Sequence, residues 1–421
     1  METLQIGGVS SRTLADRYGT PLYVYDENKI KQQASAAAEN FVSDKFDTEV
    51  VYASKAFSCA ALFKMLADEG LGFDVVSGGE LYCAMRVGAD MKKVYFHGNN
   101  KSDMEIEMGL DAGVGYFVID NVMECERIVN AAEKKKSSTK ALLRINPGIS
   151  AHTHEYIMTA APDSKFGIHI EDRENIGEVI RMVSESDYVS LAGFHSHIGS
   201  QIVDCCSFEK ALATMIDFLS DMKASYGLDN MELSIGGGFG IKYVETDDPV
   251  PLGRMCRKLV RYAEKALERS DVRLCKLITE PGRAMVGEAG YTLYTIGDMK
   301  ESGDKNYIFV DGGMSDNIRH ALYDAEYTGV LAEKCNLPGR ETYCIAGKNC
   351  ESGDVLIESM QLPKAEPGDI LAVLSTGAYG YSMASNYNRL GRPAVVFAGD
   401  GRARSVIRRE TYEDQYRLEV V

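Results

Sequence analysis

The chain has 421 residues, of which 45% are apolar and 26% charged, proportions typical of a globular protein. The 46 basic and 62 acidic residues give a formal net charge of −16, which argues against a nucleic-acid partner because a phosphate backbone would be repelled. No stretch reaches the roughly 18 apolar residues of a membrane span, and the N-terminus lacks a secretion-signal pattern. The ten cysteines form no CxxC pair. We therefore expect reduced thiols, a cytoplasmic location and no membrane contact.

Short apolar runs alternate with helical patterns between residues 49 and 280. The eight runs are Glu49–Ala53, Gly72–Val75, Lys93–His97, Tyr116–Ile119, Ala141–Ile145, Leu191–His195, Glu232–Ile235 and Leu274–Thr279. Stretches such as Gly79–Val87 and Phe208–Ser225 have apolar residues at three- and four-residue spacing, which is typical of helices. The alternation predicts a TIM-like (β/α)8 barrel. Gly148–Gly167 breaks the rhythm and is expected to be an active-site loop.

After residue 285 the pattern changes to short β-type runs separated by Gly, Pro and Asp turns, which predict an all-β domain. The runs are YTLYTIGDM, KNYIFVDGG, ETYCIAG, DVLIESMQL, DILAVLSTG, PAVVFAG and YRLEVV. Near the N-terminus, Pro21–Tyr25 is a further strand-like run and a candidate partner for that sheet. We expect two domains: a barrel at residues 27–284, and a β domain made of residues 1–26 and 285–421.

Polar and glycine residues follow the carboxyl ends of the predicted barrel strands, where barrel enzymes place their active sites. The segments are Ser54-Lys55, Ser77–Glu80, His97–Asn100, His195–Ser200, Gly236–Gly240 and Glu280–Arg283. A lysine at a strand end is a candidate to form a Schiff base, and a glycine run lets backbone N–H groups approach a phosphate. Each feature alone is equally compatible with an ordinary surface lysine or a turn that binds nothing.

Three further features each have two interpretations. His195 and His197 would point to one face of a strand and suit a metal, or they are packing residues. Glu280 forms an ion pair with Arg283, or it keeps a heterocyclic nitrogen protonated. Cys350, in a predicted turn, fills space or donates a proton.

Taken together, these segments resemble the diaminopimelate decarboxylases, which are pyridoxal 5'-phosphate (PLP) enzymes of the alanine-racemase and ornithine-decarboxylase fold type. The resemblance covers nearly the whole chain. It is carried by VYASKAF (51–57), FDVVSGGEL (73–81), HGNNKS (97–102), THEYIMT (153–159), SKFGIHI (164–170), FHSHIGSQI (194–202), IGGGFGI (235–241), TEPGRAMV (279–286), RHALYDA (319–325), CESGD (350–354) and TGAYGYSMASNYN (376–388). The family implies decarboxylation of meso-diaminopimelate to L-lysine and carbon dioxide, the last step of lysine biosynthesis.

The resemblance also implies residue roles. Lys55 would bind PLP as a Schiff base, His195 would lie against the ring, and Glu280 would keep the ring nitrogen protonated. The phosphate would be held by Ser200, Gly237, Gly238, Gly240, Glu280, Gly282, Arg283 and Tyr379. The substrate's distal carboxylate would be bound by Arg283, Arg319, Tyr323 and Tyr379, and its distal ammonium by Glu351. Cys350 would donate the proton, and the family implies a homodimer in which Cys350 and Glu351 complete the partner's active site.

Four alternatives remain open. A related decarboxylase of lysine, ornithine, arginine or carboxynorspermidine has the same fold, but Arg319 and Glu351 count against it because a monocarboxylate needs no second clamp. A racemase needs a second acid–base group, usually a tyrosine, where Cys350 is expected. A metal-dependent hydrolase would use His195 and His197. A regulatory homologue without PLP would need neither Lys55 nor Cys350.

Overall fold

The structure, a computed structural model, describes residues 3–149 and 164–420. These residues fall into two compact units. One comprises Gln33–Gly240 and Pro249–Ala284, and the other comprises the residues up to Gln32, Ile241–Asp248 and the residues from Met285 onward. Most of the expected active-site loop at Gly148–Gly167, with the THEYIMT motif, lies outside the described residues. We keep residues 27–284 as our proposal for the barrel domain and residues 1–26 with 285–421 for the β domain.

The strands and helices of the described residues are numbered here in chain order. The strands are β1 (Gln5–Ile6), β2 (Val9–Ser10), β3 (Leu22–Asp26), β4 (Asp47–Ala53), β5 (Gly72–Val75), β6 (Val94–Phe96), β7 (Tyr116–Ile119), β8 (Thr139–Asn146), β9 (Ile168–His169), β10 (Val189–His195), β11 (Met231–Ser234), β12 (Leu274–Thr279), β13 (Gly290–Ser302), β14 (Lys305–Val310), β15 (Gly329–Leu331), β16 (Glu341–Ala346), β17 (Val355–Leu362), β18 (Ile370–Val373), β19 (Ala394–Gly399) and β20 (Arg402–Ile407). The helices are α1 (Ser11–Tyr18), α2 (Glu27–Asn40), α3 (Ala60–Asp68), α4 (Gly78–Arg86), α5 (Asp103–Ala112), α6 (Val122–Lys135), α7 (Arg173–Ser184), α8 (Cys206–Tyr226), α9 (Leu252–Leu267), α10 (Arg283–Val286), α11 (Arg319–Tyr323) and α12 (Tyr412–Tyr416).

The predicted (β/α)8 barrel is confirmed. Strands β4 to β8 and β10 to β12 form one parallel sheet, which closes because β8 pairs with β10 and β12 pairs with β4. Each of the eight predicted runs corresponds to one barrel strand, and β5, β7 and β12 have the predicted bounds. Side chains fill the interior: the rings of Tyr95 and Tyr116 stack with their centroids 4.2 Å apart, beside buried Val51, Leu142 and Ile278. The barrel is therefore a packed core, and its chemistry is confined to the strand ends.

The second unit is built on a mixed sheet with strand order β17-β16-β14-β13-β3-β19-β20, and β18 also pairs with β13. Strand β3 is antiparallel to β13 and parallel to β19, which confirms that the Pro21–Tyr25 run joins the C-terminal sheet. One face of these strands is packed with apolar side chains, among them buried Leu22, Val24, Leu293 and Val396. The N-terminal strand is therefore an internal part of this sheet.

One prediction for the β unit is wrong. The YRLEVV run (416–421) is not a strand in its described part, since Tyr416 ends helix α12 and residues 417–420 are turn or irregular. The Thr411 side chain accepts from the Asp414 N–H while the Asp414 carboxylate accepts from the Thr411 N–H, a capping box that starts a helix. The last strand is instead β20, which pairs antiparallel with β19. Across the described residues, no helix has the length and apolarity needed to cross a membrane.

Candidate active site

A cluster of buried polar side chains lies at the carboxyl end of the barrel strands. Glu280 directly follows β12, His195 ends β10, and His97 directly follows β6. Glu280 Oε2 lies 3.1 Å from His195 Nε2, and Glu280 Oε1 lies 3.5 Å from His97 Nε2. The Ser234 hydroxyl donates to Glu280 Oε1 at 2.7 Å. Three predicted strands thus bring one carboxylate and two imidazoles together out of contact with bulk water.

Burial and pairing determine the charges of this cluster. Burial lowers the pKa of His195 to about 4, against the opposing pull of Glu280, so its ring is neutral at pH 7. Burial alone would raise the pKa of Glu280, but His195 and His97 beside it hold that pKa well below its usual range. Glu280 is therefore a buried, ionised carboxylate, which is the state needed to stabilise a protonated ring nitrogen.

Lys55 lies in a single helical turn, Ser54–Ala56, directly after β4. Its side chain is exposed between two buried neighbours. Burial raises the pKa of Asp74 and of Glu80, and the Lys55 ammonium partly offsets both shifts. Glu80 is held in place by the Ser54 hydroxyl, which donates to its carboxylate at 2.8 Å. The amine is thus accessible and close to two partly desolvated carboxyl groups.

The glycine run after β11 packs backbone against backbone. A Cβ atom added to Gly237 would lie 2.0 Å from the Glu280 carbonyl oxygen, and one added to Gly238 would lie 2.1 Å from that of Gly199. Gly238 also has φ +108°, a conformation that strains other residues. Larger residues are therefore excluded, and the loops after β10, β11 and β12 meet here.

Ser200 and Arg283 border the same loops. Arg283 Nη2 donates to the Ser200 hydroxyl at 2.8 Å, and the Gly240 N–H donates to the Ile202 carbonyl at 2.9 Å. Gly282 packs against the end of β4, where an added Cβ would lie 3.0 Å from the Cβ of Ala53. A hydroxyl and a guanidinium beside the glycine loop form an environment suited to an anion such as phosphate.

These residues fit PLP. Among the described residues, Asp74 Oδ1, His97 Nε2 and His195 Nδ1 are buried without a hydrogen-bond partner, which is costly unless a ligand supplies one. An accessible lysine amine, an ionised carboxylate and a glycine-lined anion site match the aldehyde, ring nitrogen and phosphate of this cofactor. The residues that meet these three requirements follow different strands of one barrel.

The histidine pair considered for a metal hydrolase does not form a ligand set in the described residues. There, the potential metal-ligating group contains His97, His195 and Glu280, whose ligand atoms lie within 4.8 Å of one another, and not His197. The His197 ring instead packs against Gly236, where an added Cβ would lie 2.9 Å from Nδ1. The position of His197 gives no support to the two-histidine metal site.

Within the β unit, Arg319 and Tyr323 are the first and last residues of α11, four positions apart and hence on one face. Arg319 is 7% exposed and Tyr323 is half-buried. Arg319 donates to the hydroxyls of Tyr243 and Tyr327, each at 2.9 Å. Tyr379 has φ +60°, a strained conformation for a tyrosine and one that is typical of functional sites.

Cys350 and Glu351 are exposed in the turn between β16 and β17. The Cys350 N–H donates to Asn388 Oδ1 at 2.6 Å, and the Tyr387 hydroxyl donates to Glu351 Oε2 at 3.3 Å. Buried Asp354 accepts the N–H of Asn349 at 2.6 Å. These contacts give the turn a defined shape although its two predicted functional side chains face solvent.

Sequence reasoning missed several of these residues. Asp74 and His97 lie at strand ends, and His97 opens one of the predicted polar segments, but the sequence predicted no role for either side chain. Arg144, near the end of β8, acts electrostatically on Asp74 and Glu280, and its guanidinium lies 4.7 Å from the Phe166 ring centroid. The sequence feature that could have identified Arg144 is its position near the end of a predicted barrel strand.

Comparison with known proteins places the chain in a family. Residues 27–287 match the family model described as the pyridoxal-dependent decarboxylase, pyridoxal binding domain. Diaminopimelate decarboxylases of Halalkalibacterium halodurans and Bacillus subtilis are 47% and 45% identical over 418 residues, covering 99% of this chain and 95% of each relative.

Solved structures agree. A diaminopimelate decarboxylase from M. jannaschii in complex with L-lysine is 35% identical, with a TM-score of 0.93 over 100% of this chain and 96% of that one. The Helicobacter pylori enzyme, also with L-lysine, is 30% identical, with a TM-score of 0.88 over 97% of this chain and 98% of that one. A lysine/ornithine decarboxylase from Vibrio vulnificus, at 22% identity and a TM-score of 0.76, shares the fold alone. With near-complete coverage and up to 47% identity, the chain belongs to the diaminopimelate decarboxylase family of pyridoxal-dependent decarboxylases.

Proposed function

We propose that this protein is a carboxy-lyase that removes carbon dioxide from meso-2,6-diaminopimelate and yields L-lysine, the last step of lysine biosynthesis, with PLP as its cofactor. The observation that carries the proposal is buried, ionised Glu280, clustered with His195 and His97 at the barrel end of a chain nearly half identical to named diaminopimelate decarboxylases. When bound, PLP supplies a conjugated ring that accepts the electrons released as the carboxylate leaves.

The barrel residues hold the cofactor in this proposal. Lys55 would supply the amine for the aldehyde, and its exposed position supports this role. Ionised Glu280 would keep the ring nitrogen protonated, and neutral His195 would contribute to the ring site without adding a charge. The phosphate is assigned to the backbone of Gly237, Gly238, Gly240, Glu280 and Gly282, with Ser200, Arg283 and Tyr379.

The substrate's distal end is assigned to Arg283, Arg319, Tyr323 and Tyr379 for the carboxylate and to Glu351 for the ammonium. Arginine suits a carboxylate because its planar group forms two parallel hydrogen bonds. Burial of Arg319 supports this role, since no acidic side chain of the described residues forms an ion pair with its guanidinium. A substrate with one carboxylate would leave that charge uncompensated.

Cys350 is assigned as the proton donor, and its exposure in a turn supports a role at a surface shared between two protomers. We propose a homodimer in which Cys350 and Glu351 of one protomer serve the partner's active site. We also propose a cytoplasmic location, which ten free thiols support, with no nucleic-acid or membrane partner.

A substrate panel tests the proposal against a related decarboxylase. Holoenzyme is incubated separately with meso-diaminopimelate, L-lysine, L-ornithine, L-arginine and carboxynorspermidine, and released carbon dioxide is measured. Release from meso-diaminopimelate alone is expected. Release from ornithine, lysine or arginine without turnover of diaminopimelate would contradict the proposal.

A further inference from the structure

Arg319 is a buried cation held by neutral groups. It is 7% exposed, and within the described residues it forms hydrogen bonds to two tyrosine hydroxyls but no ion pair. Both bonds start from the same nitrogen, Nη1, at 2.9 Å to Tyr243 and 2.9 Å to Tyr327. Since Nη1 carries two hydrogens, these contacts use both of its donors.

The two tyrosine rings also lie close to the guanidinium. The Arg319 Cζ atom lies 5.2 Å from the Tyr243 ring centroid and 5.8 Å from that of Tyr327. The rings themselves meet at 90° with their centroids 5.4 Å apart. Two perpendicular rings and two hydrogen bonds restrict rotation of the group far more than a single contact does. The Nε–Nη2 edge, whose two N–H bonds are parallel, forms no hydrogen bond or ion pair in the part of the chain that is described.

The tyrosines are themselves anchored within the β unit. Tyr243 is 8% exposed and Tyr327 is 4% exposed. The Thr328 hydroxyl donates to the Tyr243 carbonyl at 3.1 Å, and the Ser375 hydroxyl donates to the Lys242 carbonyl at 2.9 Å. An acidic partner would also orient Arg319, but it would neutralise the charge. Tyrosine hydroxyls orient the guanidinium and leave its charge for a ligand.

We propose that Tyr243 and Tyr327 are positioning residues that hold the Nε–Nη2 edge of Arg319 for the substrate's distal carboxylate, and so set the preference for an amino acid with a second carboxylate. This inference rests on the proposed function. It assigns the two tyrosines no contact with the reacting bond; they act through Arg319.

L-lysine and cadaverine provide a matched pair of probes, because they differ only in the carboxylate that Arg319 would bind. Their dissociation constants for the holoenzyme are measured by calorimetry for the wild type, Tyr243→Phe, Tyr327→Phe, Arg319→Gln and the double variant Tyr327→Phe/Arg319→Gln. Tyr343→Phe is the control, since Tyr343 is a buried tyrosine of the same unit whose hydroxyl donates to Glu341 instead.

The preference for lysine over cadaverine should fall about tenfold in Tyr243→Phe or Tyr327→Phe, because each removes one hydrogen bond to a charged group. It should be unchanged in Tyr343→Phe, and Tyr327→Phe should have no further effect once Arg319 is Gln. An unchanged preference in both single variants, or an equal loss in the Arg319→Gln background, overturns the inference. Failure of the proposed function is a separate result, in which the wild type forms no lysine from meso-diaminopimelate.

Discussion

Glu280 Oε2 and His195 Nε2 lie 3.1 Å apart, and both side chains are at least 95% buried. Sequence reasoning placed both residues at the cofactor but did not anticipate their direct contact. Burial alone would raise the pKa of Glu280, and the contact with His195, together with His97, instead holds that pKa well below its usual range. The charge that stabilises a protonated ring nitrogen therefore depends on the neighbouring imidazoles.

The variant Glu280→Gln removes that charge while keeping the shape of the side chain. We expect kcat to fall about 10²- to 10³-fold, as for other losses of preorganised electrostatic stabilisation, with a smaller change in KM. Steady-state kinetics with saturating PLP measure this, and Glu232→Gln, which alters a buried carboxylate within the neighbouring strand β11, serves as the control. A kcat within twofold of wild type in Glu280→Gln would exclude an essential role.

Cys350 is one of two exposed cysteines, the other being Cys206 at the start of α8. Cys350→Ala should bind PLP with an unchanged visible spectrum but turn over about 10²–10⁴-fold more slowly, because general-acid assistance is lost. Cys206→Ala should match the wild type in both measurements. Full activity of Cys350→Ala would mean that another group supplies the proton.

Shared active sites predict complementation between inactive variants. Lys55→Ala and Cys350→Ala, mixed under conditions that exchange subunits, should form heterodimers with one intact site, recovering about a quarter of wild-type activity after random pairing. Lys55→Ala mixed with Glu280→Gln should recover no activity. Both substitutions lie in the barrel, so each active site of the heterodimer still contains one of them. Absence of recovery with the first pair, despite demonstrated exchange, would place Cys350 in its own protomer's site.

Asp316 predicts a pH dependence of stability. It accepts from the Tyr294 hydroxyl at 2.5 Å and the Gly313 N–H at 2.9 Å, and burial raises its pKa to about 7. The unfolded chain loses this proton near pH 4, so between about pH 4 and 7 the folded state binds more protons and stability falls as pH rises.

The variant Asp316→Asn should remove that contribution, which is on the order of a few kcal/mol over the whole range. Denaturant unfolding at pH 5.5 and 8 measures the difference between variant and wild type. Asp217→Asn, on the exposed face of α8, should keep the wild-type slope. An identical slope in Asp316→Asn would show that its carboxyl does not titrate as described.

The barrel was predictable because its strands are buried on both faces. Such strands have compact apolar sequences, as in Gly72–Val75 and Tyr116–Ile119. Strand β20 was not predicted because its sequence, RARSVI, lies at a sheet edge with no buried residue and has no long apolar run. The capping box of Thr411 and Asp414 was the sequence signal for helix α12. That helix ends at Tyr416, the first residue of the strand-like YRLEVV run.

The site was predictable where motif and strand end coincide, as at Lys55, His195 and Glu280. The tyrosines around Arg319 could not be predicted, because Tyr243 and Tyr327 are 84 positions apart and meet only through tertiary packing. Their hydroxyls have no local sequence signal, and a buried tyrosine is usually a packing residue. The contact of Asn388 with Cys350 could not be predicted either, since it joins two turns that are separate in the sequence.

The most direct test measures both products of one reaction. Holoenzyme is incubated with meso-diaminopimelate, and L-lysine and carbon dioxide are quantified together, with Lys55→Ala as a control that should lack both the visible absorbance of bound PLP and turnover. We predict that lysine and carbon dioxide form in equal amounts. Carbon dioxide without L-lysine, or no turnover by a protein with bound PLP, would contradict the assignment.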